Sequence, residues 1–407
     1  MENGVDIAHK FERKELELNS LLEITQAIND NVPESSLYKI YNFTLRANLN
    51  LAKLLLIVKE SGLWSCKVQF GNLNNYDNAS PKELNADKNA ILDKEDLADT
   101  DFDEFETAIP VYHKENLLAM VYVGGIVNDD NIRIENHLNF IQALTNITMV
   151  AIENKKMARE RIEKEVYEKE MEIAKKVQQL LFPKYLPDQD NFRIAAHYSP
   201  HSTVGGDYYD WREINNNEKM VCIADVSGKG VPAALLMSNF QASLRTSLRR
   251  TTDLKEIIND LNHQVFQSAN GENFITFFMA IIDQKQKRLR YVNAGHNPPY
   301  LTQNNTVKEL DKGTIVLGAF PELPFLEIGE EPLQQEQTLF LYTDGLTEAF
   351  DRNEEEFGPD RLKLFLSHQV ETNPRVLVED VLSSVDDFVG DRPFSDDITL
   401  LACTFNV

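Results

Sequence analysis

Hydrophobic positions in the first 152 residues switch between helical and strand spacing. Apolar residues recur at helical spacing over 12–28, and a second helix is predicted over about 37–49. Strand patterns come in two pairs, 53–58 with 64–70 and 108–113 with 117–123, and an amphipathic stretch at 135–152 predicts a closing helix. The polar, acidic stretch 72–107 predicts a long surface loop with one short helix. This order predicts a compact α/β domain over residues 1–152.

Charged residues dominate the next segment, from Glu153 to about Leu181, but a stripe of apolar residues runs through it. The steps between them are heptad-like with one irregularity, which fits either a solvated connector helix lying on a neighbouring domain or a two-stranded coiled coil. The coiled coil would make the protein a homodimer. Prolines at 183 and 187 end the segment, so a helical linker is predicted over 153–183. The stripe consists of Ile162, Val166, Ile173, Val177 and Leu180.

Strand patterns dominate the remaining chain, and four helices interrupt them. Strands that arrive mostly as hairpins, with helices in separate runs, predict an α+β sandwich of antiparallel sheets covered by helices over residues 184–407. The predicted strands are 192–198, 207–214, 219–226, 274–283, 288–294, 337–342 and 398–405, and the predicted helices are 232–249, 254–269, 360–368 and 374–389.

Charge narrows the range of partners. The 407 residues include 65 acidic and 41 basic side chains, a formal net charge of −24. This balance disfavours nucleic acid and insertion at an anionic bilayer, because both partners are also negatively charged. Any phosphate chemistry on such a chain would need bound cations to offset the local field.

Cysteine use and hydropathy indicate a compartment. Cys66, Cys222 and Cys403 are widely separated and odd in number, which is typical of reduced core residues. The amino terminus lacks the apolar core of a signal peptide, and no stretch reaches the ~18 apolar residues of a membrane span. The expected location is therefore the cytoplasm.

Acidic residues at strand ends are the candidate chemistry. Each stands after an apolar strand or beside glycine, where desolvation of a carboxylate is costly unless a cation or a hydrogen-bond network receives it. Taken singly, each also fits a turn or a helix N-cap. Together they suggest Mg²⁺ or Mn²⁺, which prefer oxygen ligands, and two such ions ~4 Å apart would activate a water toward a phosphoryl group. These residues are Asp207, Asp225, Asp344 and the doublet Asp396-Asp397.

Five motifs in order resemble one known family. VGGDYYD, ADVSGKGVPAALLM, NAGHNPPYL, LYTDGLTEA and DDITLL are similar in sequence and spacing to the sporulation-stage-II-E-like branch of the metal-dependent (PPM-type) protein phosphatases, over about 173–407. The resemblance implies a four-layer α-β-β-α sandwich of two antiparallel sheets, a binuclear Mn²⁺ or Mg²⁺ centre, and hydrolysis of phosphoserine or phosphothreonine. It also implies a phosphorylated partner, typically a STAS-domain anti-anti-sigma factor.

The resemblance assigns roles to individual residues. Asp207 and Asp225 would bind metal with the backbone carbonyl of Val226, while Asp344 and Asp396 would complete the centre. The four aspartates are thus the expected catalytic residues. Asp397 adjoins the matched position and is the alternative to Asp396. Asp210, the second acid of its motif, is expected to be structural.

Other motif positions leave alternatives open. In the wider family a histidine two residues after the second metal-binding aspartate is thought to act as general acid, but Ser227 stands there, so the default proton donor is a metal-bound water. His296 is expected to be a turn residue. Gly228 and Lys229 would bind substrate phosphate at a helix N-terminus, or else the glycines serve only a tight strand-to-helix turn.

The front half resembles a GAF domain, which implies an unknown small ligand. Two rival functions follow from the same sequence. The sandwich would be a catalytically silent pseudophosphatase that docks partners, or the chain would be a ligand-sensing interaction protein driven by its front domain.

Overall fold

The computed structural model describes residues 2–49, 51–60, 62–71, 74, 76, 81, 91–113, 116–126, 135–369 and 373–406, and it divides the chain into two compact units, 1–165 and 166–407. The first unit contains α1 (Glu2–Asn29), α2 (Glu34–Asn48), β1 (Leu51–Glu60), β2 (Leu63–Phe70), β3 (Thr107–His113), β4 (Asn116–Ile126) and the start of α3 (Glu135–Gln179), which continues into the second unit.

The sheet of the first unit is antiparallel, with strand order β2-β1-β4-β3. Alternate residues of β1 point to opposite faces of the sheet, so Leu54 and Leu56 join the helices in one core while Leu55 and Ile57 enter a second core on the other face. Phe102 belongs to that second core and stacks on Tyr122 with ring centroids 4.1 Å apart.

The segment predicted as a surface loop therefore supplies part of a core. Phe102 and Phe105 are buried although acidic residues surround them in the sequence. The middle of that segment, including residues 82–90, lies outside the described residues.

The predicted closing helix and the predicted linker are one continuous helix. α3 runs from Glu135 to Gln179, through the expected boundary after residue 152. The residues predicted as a linker, 153–183, therefore fall in the later part of α3 and the turn that follows it. All five residues of the predicted apolar stripe are exposed in the single chain.

The second unit follows with these elements: β5 (Asp188–Gln189), β6 (Phe192–Ser199), β7 (Tyr208–Glu213), β8 (Glu218–Val226), α4 (Val231–Arg250), α5 (Leu254–Ala269), β9 (Ile275–Asp283), β10 (Arg288–Ala294), β11 (Tyr300–Gln303), β12 (Thr306–Glu309), β13 (Gly313–Thr314), β14 (Gly329–Pro332), β15 (Gln337–Tyr342), α6 (Asp344–Thr347), α7 (Gly358–His368), α8 (Pro374–Val389) and β16 (Ile398–Phe405).

These strands form two six-stranded sheets. Sheet I has the order β13-β10-β9-β8-β7 with β14 also on β10, and sheet II has the order β12-β11-β15-β16-β6-β5. The described pairs are antiparallel apart from β10 with β13. The predicted antiparallel α+β class is confirmed.

Strands buried on both faces create the layers. In β8, Met220 and Cys222 face α4 and α5, while Val221 and Ile223 face sheet II. In β16, Leu400 and Ala402 face α7 and α8, while its alternate residues enter the core between the sheets. Each fully buried aliphatic side chain stabilises this arrangement by about 1.5–3 kcal/mol. The result is the predicted α-β-β-α sandwich.

None of the helices, over the residues described, is both long enough and apolar enough to cross a bilayer.

Candidate metal centre

Asp207 joins the two sheets at one end of the sandwich. It lies directly before β7 of sheet I, and its side chain is 1% exposed. Its Oδ2 accepts hydrogen bonds from two hydroxyls of sheet II, Thr343 Oγ1 at 2.8 Å and Thr399 Oγ1 at 2.5 Å. Both threonines adjoin predicted motif acids, but the sequence analysis did not identify them. One carboxylate oxygen is thereby fixed in orientation.

The other predicted acids lie at the same end of the sandwich, and together with Asp207 they define the acidic cleft. Asp225 is the penultimate residue of β8, Asp344 begins α6, and Asp396 precedes β16. Burial, then the charges of Asp344 and Asp396, raise the pKa of Asp225 to about 7. Burial, then the charge of Asp225, raises the pKa of Asp207 well above its usual range. Asp225 is therefore within electrostatic range of Asp207, Asp344 and Asp396, although the acids come from separate segments of the chain.

Burial and repulsion also act on Asp344. Burial, followed by the charge of Asp396, raises the pKa of the Asp344 carboxyl. The charge of Lys229 partly offsets this repulsion. Lys229 Nζ lies 2.8 Å from Asp396 Oδ2 and donates to the Ser395 carbonyl at 3.0 Å.

The acids of the cleft are not yet arranged around a single point that a metal ion would occupy. In the part of the chain that the structure describes, no three or more His, Cys, Asp or Glu side chains are arranged closely enough to enclose a metal ion. Lys229 engages one acid, and its side chain is 57% exposed, so it is able to swing away. The available donors are all hard oxygens, which fit Mg²⁺ or Mn²⁺ and not a soft, sulfur-seeking ion.

The two acids of the doublet have different surroundings. Both oxygens of Asp397 accept backbone hydrogen bonds, Oδ1 from the His201 N–H at 2.8 Å and Oδ2 from the Gly206 N–H at 2.7 Å. Asp396 instead contacts Lys229 at the cleft. Asp397 therefore ties the loop before Asp207 to the loop before β16.

The glycines before Asp207 are required by close contacts. A Cβ on Gly205 would lie 2.1 Å from Asp397 Oδ2, and one on Gly206 would lie 2.8 Å from the carbonyl oxygen of Val226. The loop thus passes directly over the backbone carbonyl that the resemblance assigned to the metal. A side chain at either position would push the loop off this surface.

Asp210 lies in a separate network of hydrogen bonds and ion pairs. Its carboxylate is buried and accepts from Tyr208 Oη at 2.7 Å, with Arg245 Nε at 2.9 Å and Arg212 Nε at 3.3 Å. Both arginines supply positive charge, so no further cation is needed. The surroundings agree with the structural role expected for this residue.

Ser227 and His296 are both engaged in holding backbone. Ser227 Oγ accepts from the Phe274 N–H at 2.9 Å. His296 is 5% exposed, with Nε2 3.0 Å from the Tyr342 carbonyl and Nδ1 2.8 Å from Thr276 Oγ1. Because a carbonyl only accepts, Nε2 carries the proton, and burial lowers the pKa of His296 to about 4. His296 is a neutral, buried turn residue.

The Gly228-Lys229-Gly230 segment forms the tight strand-to-helix turn that its glycines predict, and this turn lies at a helix N-terminus. Gly228 and Gly230 have φ of 97° and 72°, in the left-handed region that favours glycine. Gly230 is the N-cap of α4 and has no side-chain cap, and Pro232 lacks an N–H, so the donors left without an intrahelical partner in the first turn of this 20-residue helix include the Val231 and Ala233 N–H groups. The glycines are needed for the turn, and the turn presents a cation and helix N–H groups near the acidic cleft.

Known proteins match this part of the chain. Residues 216–406 match the family described as Stage II sporulation protein E (SpoIIE). Phosphoserine phosphatase RsbU of Bacillus subtilis is 30% identical over 237 residues, which cover 57% of this chain and 69% of RsbU. The chain belongs to the SpoIIE family of PP2C-type phosphatases. This membership confirms the predicted enzyme class, a serine/threonine phosphatase.

Other matches extend the comparison. Protein IcfG of Synechocystis is 27% identical over 331 residues, covering 73% of this chain but only 51% of IcfG. Among solved structures, the SiaA-PP2C domain of Pseudomonas aeruginosa superposes with a TM-score of 0.54 at 21% identity, over 60% of this chain and 98% of that domain. That likeness supports the PP2C fold of the second unit. The GAF-like identity of the first unit stays a prediction.

Proposed function

We propose that this SpoIIE-family chain removes phosphate from serine or threonine of a protein partner, using two divalent cations held in the cleft between the sheets. The observation that carries the proposal is the convergence of Asp207, Asp225, Asp344 and Asp396 at one end of the sandwich. Asp207 is buried, and Asp225, Asp344 and Asp396 are partly exposed. Like charges this close together are unfavourable without cations, so bound metal would stabilise the cluster. The similarity to a phosphoserine phosphatase, RsbU, supports the substrate class.

Each acid has a place in this proposal. Asp207, Asp225, Asp344 and Asp396 would hold the metal ions, with the Val226 carbonyl, which lies under Gly206, as a further ligand. Asp397 remains the alternative to Asp396, but its two backbone hydrogen bonds favour a role in holding the loop. When bound, a pair of divalent ions supplies a water activated at neutral pH and neutralises the phosphoryl group during attack.

The protein's own groups prepare the cleft for this chemistry. The hydroxyls of Thr343 and Thr399 donate to Asp207 Oδ2. Because these two hydrogen bonds fix the orientation of the carboxylate, they also fix the position of Oδ1. Lys229, once released from Asp396, would bind a phosphate oxygen together with the first N–H groups of α4. His296 and Ser227 are occupied by backbone contacts and take no part in proton transfer.

Metal titration with paired substitutions tests the proposal. The full-length protein should bind Mn²⁺ by calorimetry and hydrolyse a phosphoserine peptide only when Mn²⁺ or Mg²⁺ is added. Asp225→Asn and Asp344→Asn should lose both properties. Asp391→Asn, at an exposed position paired with Arg352, is the matched control and should retain them. Metal binding and turnover that survive in both cleft variants would refute the proposal, and absence of both in the parent would favour the docking-protein rival.

We further propose that the partner is a phosphorylated STAS-domain protein and that residues 1–152 form a GAF-like sensor joined by the linker 153–183 to the phosphatase domain 184–407. The similarity to RsbU, a phosphoserine phosphatase, supports a phosphorylated protein as the substrate. The four-stranded antiparallel sheet of the first unit, with helices packed on one face, supports the separate front domain. Turnover of a phosphorylated STAS-domain protein should exceed turnover of a peptide with the same phosphosite. Equal kcat/KM for the two substrates would argue against dedicated recognition of the domain.

A further inference from the structure

One polar side chain of α3 is buried although its neighbours are not. Gln178 is 5% exposed, whereas Val177 and Gln179 on either side are exposed. Its amide makes two hydrogen bonds with one residue of the same unit, Gly205. Nε2 donates to the Gly205 carbonyl at 2.7 Å, and Oε1 accepts from the Gly205 N–H at 3.3 Å. The Gln178 amide therefore pairs with both the carbonyl and the N–H of Gly205, as the backbone of a neighbouring β-strand would.

Gly205 lies two positions before Asp207. On its other side, the loop is held by Asp397 through the Gly206 N–H. A side chain on Gly205 would also come within 2.5 Å of Tyr198 Oη, so the loop fits closely between its supports. Such a loop has little freedom to shift while both supports are in place. Removing the Gln178 support would leave the segment leading to Asp207 held from one side.

The end of α3 is itself anchored, so it is able to act as a fixed support. The Leu181 carbonyl accepts from Gln241 Nε2 at 3.0 Å and from Arg245 Nη2 at 2.8 Å, both on α4. The Phe182 ring lies 4.7 Å from the Tyr198 ring, centroid to centroid. These contacts fix the carboxyl end of α3 against the sandwich.

We propose that Gln178 is a positioning residue for the proposed metal centre: its amide holds Gly205 so that the Asp207 carboxylate points at Asp225 and the other acids. The inference rests on the proposed function, in which Asp207 binds metal. It extends the site to a side chain of the helix that precedes the phosphatase sandwich. Residues that orient metal ligands typically affect metal affinity more than substrate binding.

The neighbouring glutamine provides a matched control. Gln178→Met keeps the side-chain length and loses both hydrogen bonds, and Gln179→Met makes the same change at the exposed neighbour. In the full-length protein, Gln178→Met should raise the Mn²⁺ dissociation constant, measured by calorimetry, on the order of 10-fold. At saturating Mn²⁺ the KM for a phosphoserine peptide should change less than about twofold, and excess Mn²⁺ should restore most of kcat. Gln179→Met should match the parent in all three.

A purely structural role predicts a different result, namely a lower melting temperature with an unchanged Mn²⁺ dissociation constant, and that result would overturn the inference. If Gln178→Met does not fold, the Mn²⁺ dissociation constant of Gln178→Glu tests the inference instead. The glutamate still accepts from the Gly205 N–H, but it replaces the donor to the Gly205 carbonyl with a negatively charged oxygen that repels it. Failure of the proposed function is distinguishable: Mn²⁺ binding that survives in Asp207→Asn removes that function, whereas Asp207-dependent binding with a normal Gln178→Met removes this inference alone.

Discussion

Asp207 and Asp210 lie three residues apart and are 1% and 0% exposed, yet their surroundings differ in charge. Asp210 is paired with Arg245 and Arg212, so its negative charge is neutralised by the fold. Among the described residues, Asp207 has no ion-pair partner and contacts two threonine hydroxyls, with the Asp225 charge beside it. The fold therefore supplies Asp210 with positive charge from two arginines, whereas the proposed role of Asp207 requires positive charge from a bound metal ion.

The largest expected effect comes from exchanging carboxylate for amide at Asp207. Asp207→Asn should lower turnover of a phosphoserine peptide on the order of 1000-fold at the Mn²⁺ concentration that saturates the parent, because the bound metal and several kcal/mol of stabilisation at the phosphoryl group are lost. The free energy of unfolding without metal, measured with urea, should be unchanged or higher. The amide oxygen still accepts from Thr343 and Thr399, and a buried negative charge is gone.

Asp210→Asn is the counterpart and should behave in the opposite way. It should lower the free energy of unfolding by about 3 kcal/mol, the lower end for breaking a buried ion pair, since Arg245 keeps some exposure. Below its melting temperature, its kcat should stay within a few-fold of the parent. The distinction between the two acids fails if Asp207→Asn destabilises the metal-free protein as much as Asp210→Asn does.

His296 extends the comparison to a buried histidine that has no ion-pair partner among the residues that the structure describes. The unfolded chain protonates this histidine below about pH 6.5, while burial delays protonation in the folded protein to about pH 4. Unfolding therefore takes up a proton between these values, so stability falls as pH falls through this window. The contribution is full above pH 6.5 and amounts to about 3 kcal/mol at 1.36 kcal/mol per pKa unit.

Urea unfolding of the parent and His296→Gln from pH 8 to 4.5 measures this effect. The difference between the two proteins should shrink as the pH decreases, because the variant has no proton to take up at this position. Parallel curves across the whole range would show that His296 titrates normally in the folded protein.

Local patterns in the sequence predicted most of the sandwich but not its edges. The bounds of α5, α8, β15 and β16 agree with the structure because each has strong apolar periodicity. The short strands between residues 300 and 332 were missed, since segments such as Thr306–Glu309 are polar and two to four residues long. In the first unit, Phe102 and Phe105 lie in an acidic stretch whose composition hid their burial.

The site shows the same limit. Motif order was enough to nominate the four acids, but their supports come from distant elements. Gln178 lies in a stretch of charged helix, and nothing in its local sequence indicates that it meets Gly205, 27 residues away. Thr343 and Thr399 likewise meet Asp207 only because β15 and β16 pair in sheet II. Tertiary contacts of this kind are not encoded in periodicity.

The smallest expected effect concerns Lys229, the cation that contacts the cleft in the described structure. Lys229→Met should strengthen Mn²⁺ binding a few-fold, by no more than about 1 kcal/mol, because an exposed ammonium competes only weakly for Asp396. The same variant should raise the KM for a phosphoserine peptide a few-fold if the released ammonium binds phosphate. Lys363→Met, which removes an equal charge from the exposed pair with Glu309, should change neither quantity.

The two readouts for Lys229→Met separate three roles for this side chain. A lysine that only recognises substrate would raise KM and leave the Mn²⁺ dissociation constant unchanged. A lysine that only neutralises Asp396 would change metal affinity and leave KM alone. Opposite shifts in the two constants are expected here, because the ammonium that lies 2.8 Å from Asp396 must leave before that carboxylate binds metal, and it is then next to the phosphate. Weaker Mn²⁺ binding in Lys229→Met would contradict competition altogether and would make Lys229 a support for Asp396, as Arg245 is for Asp210.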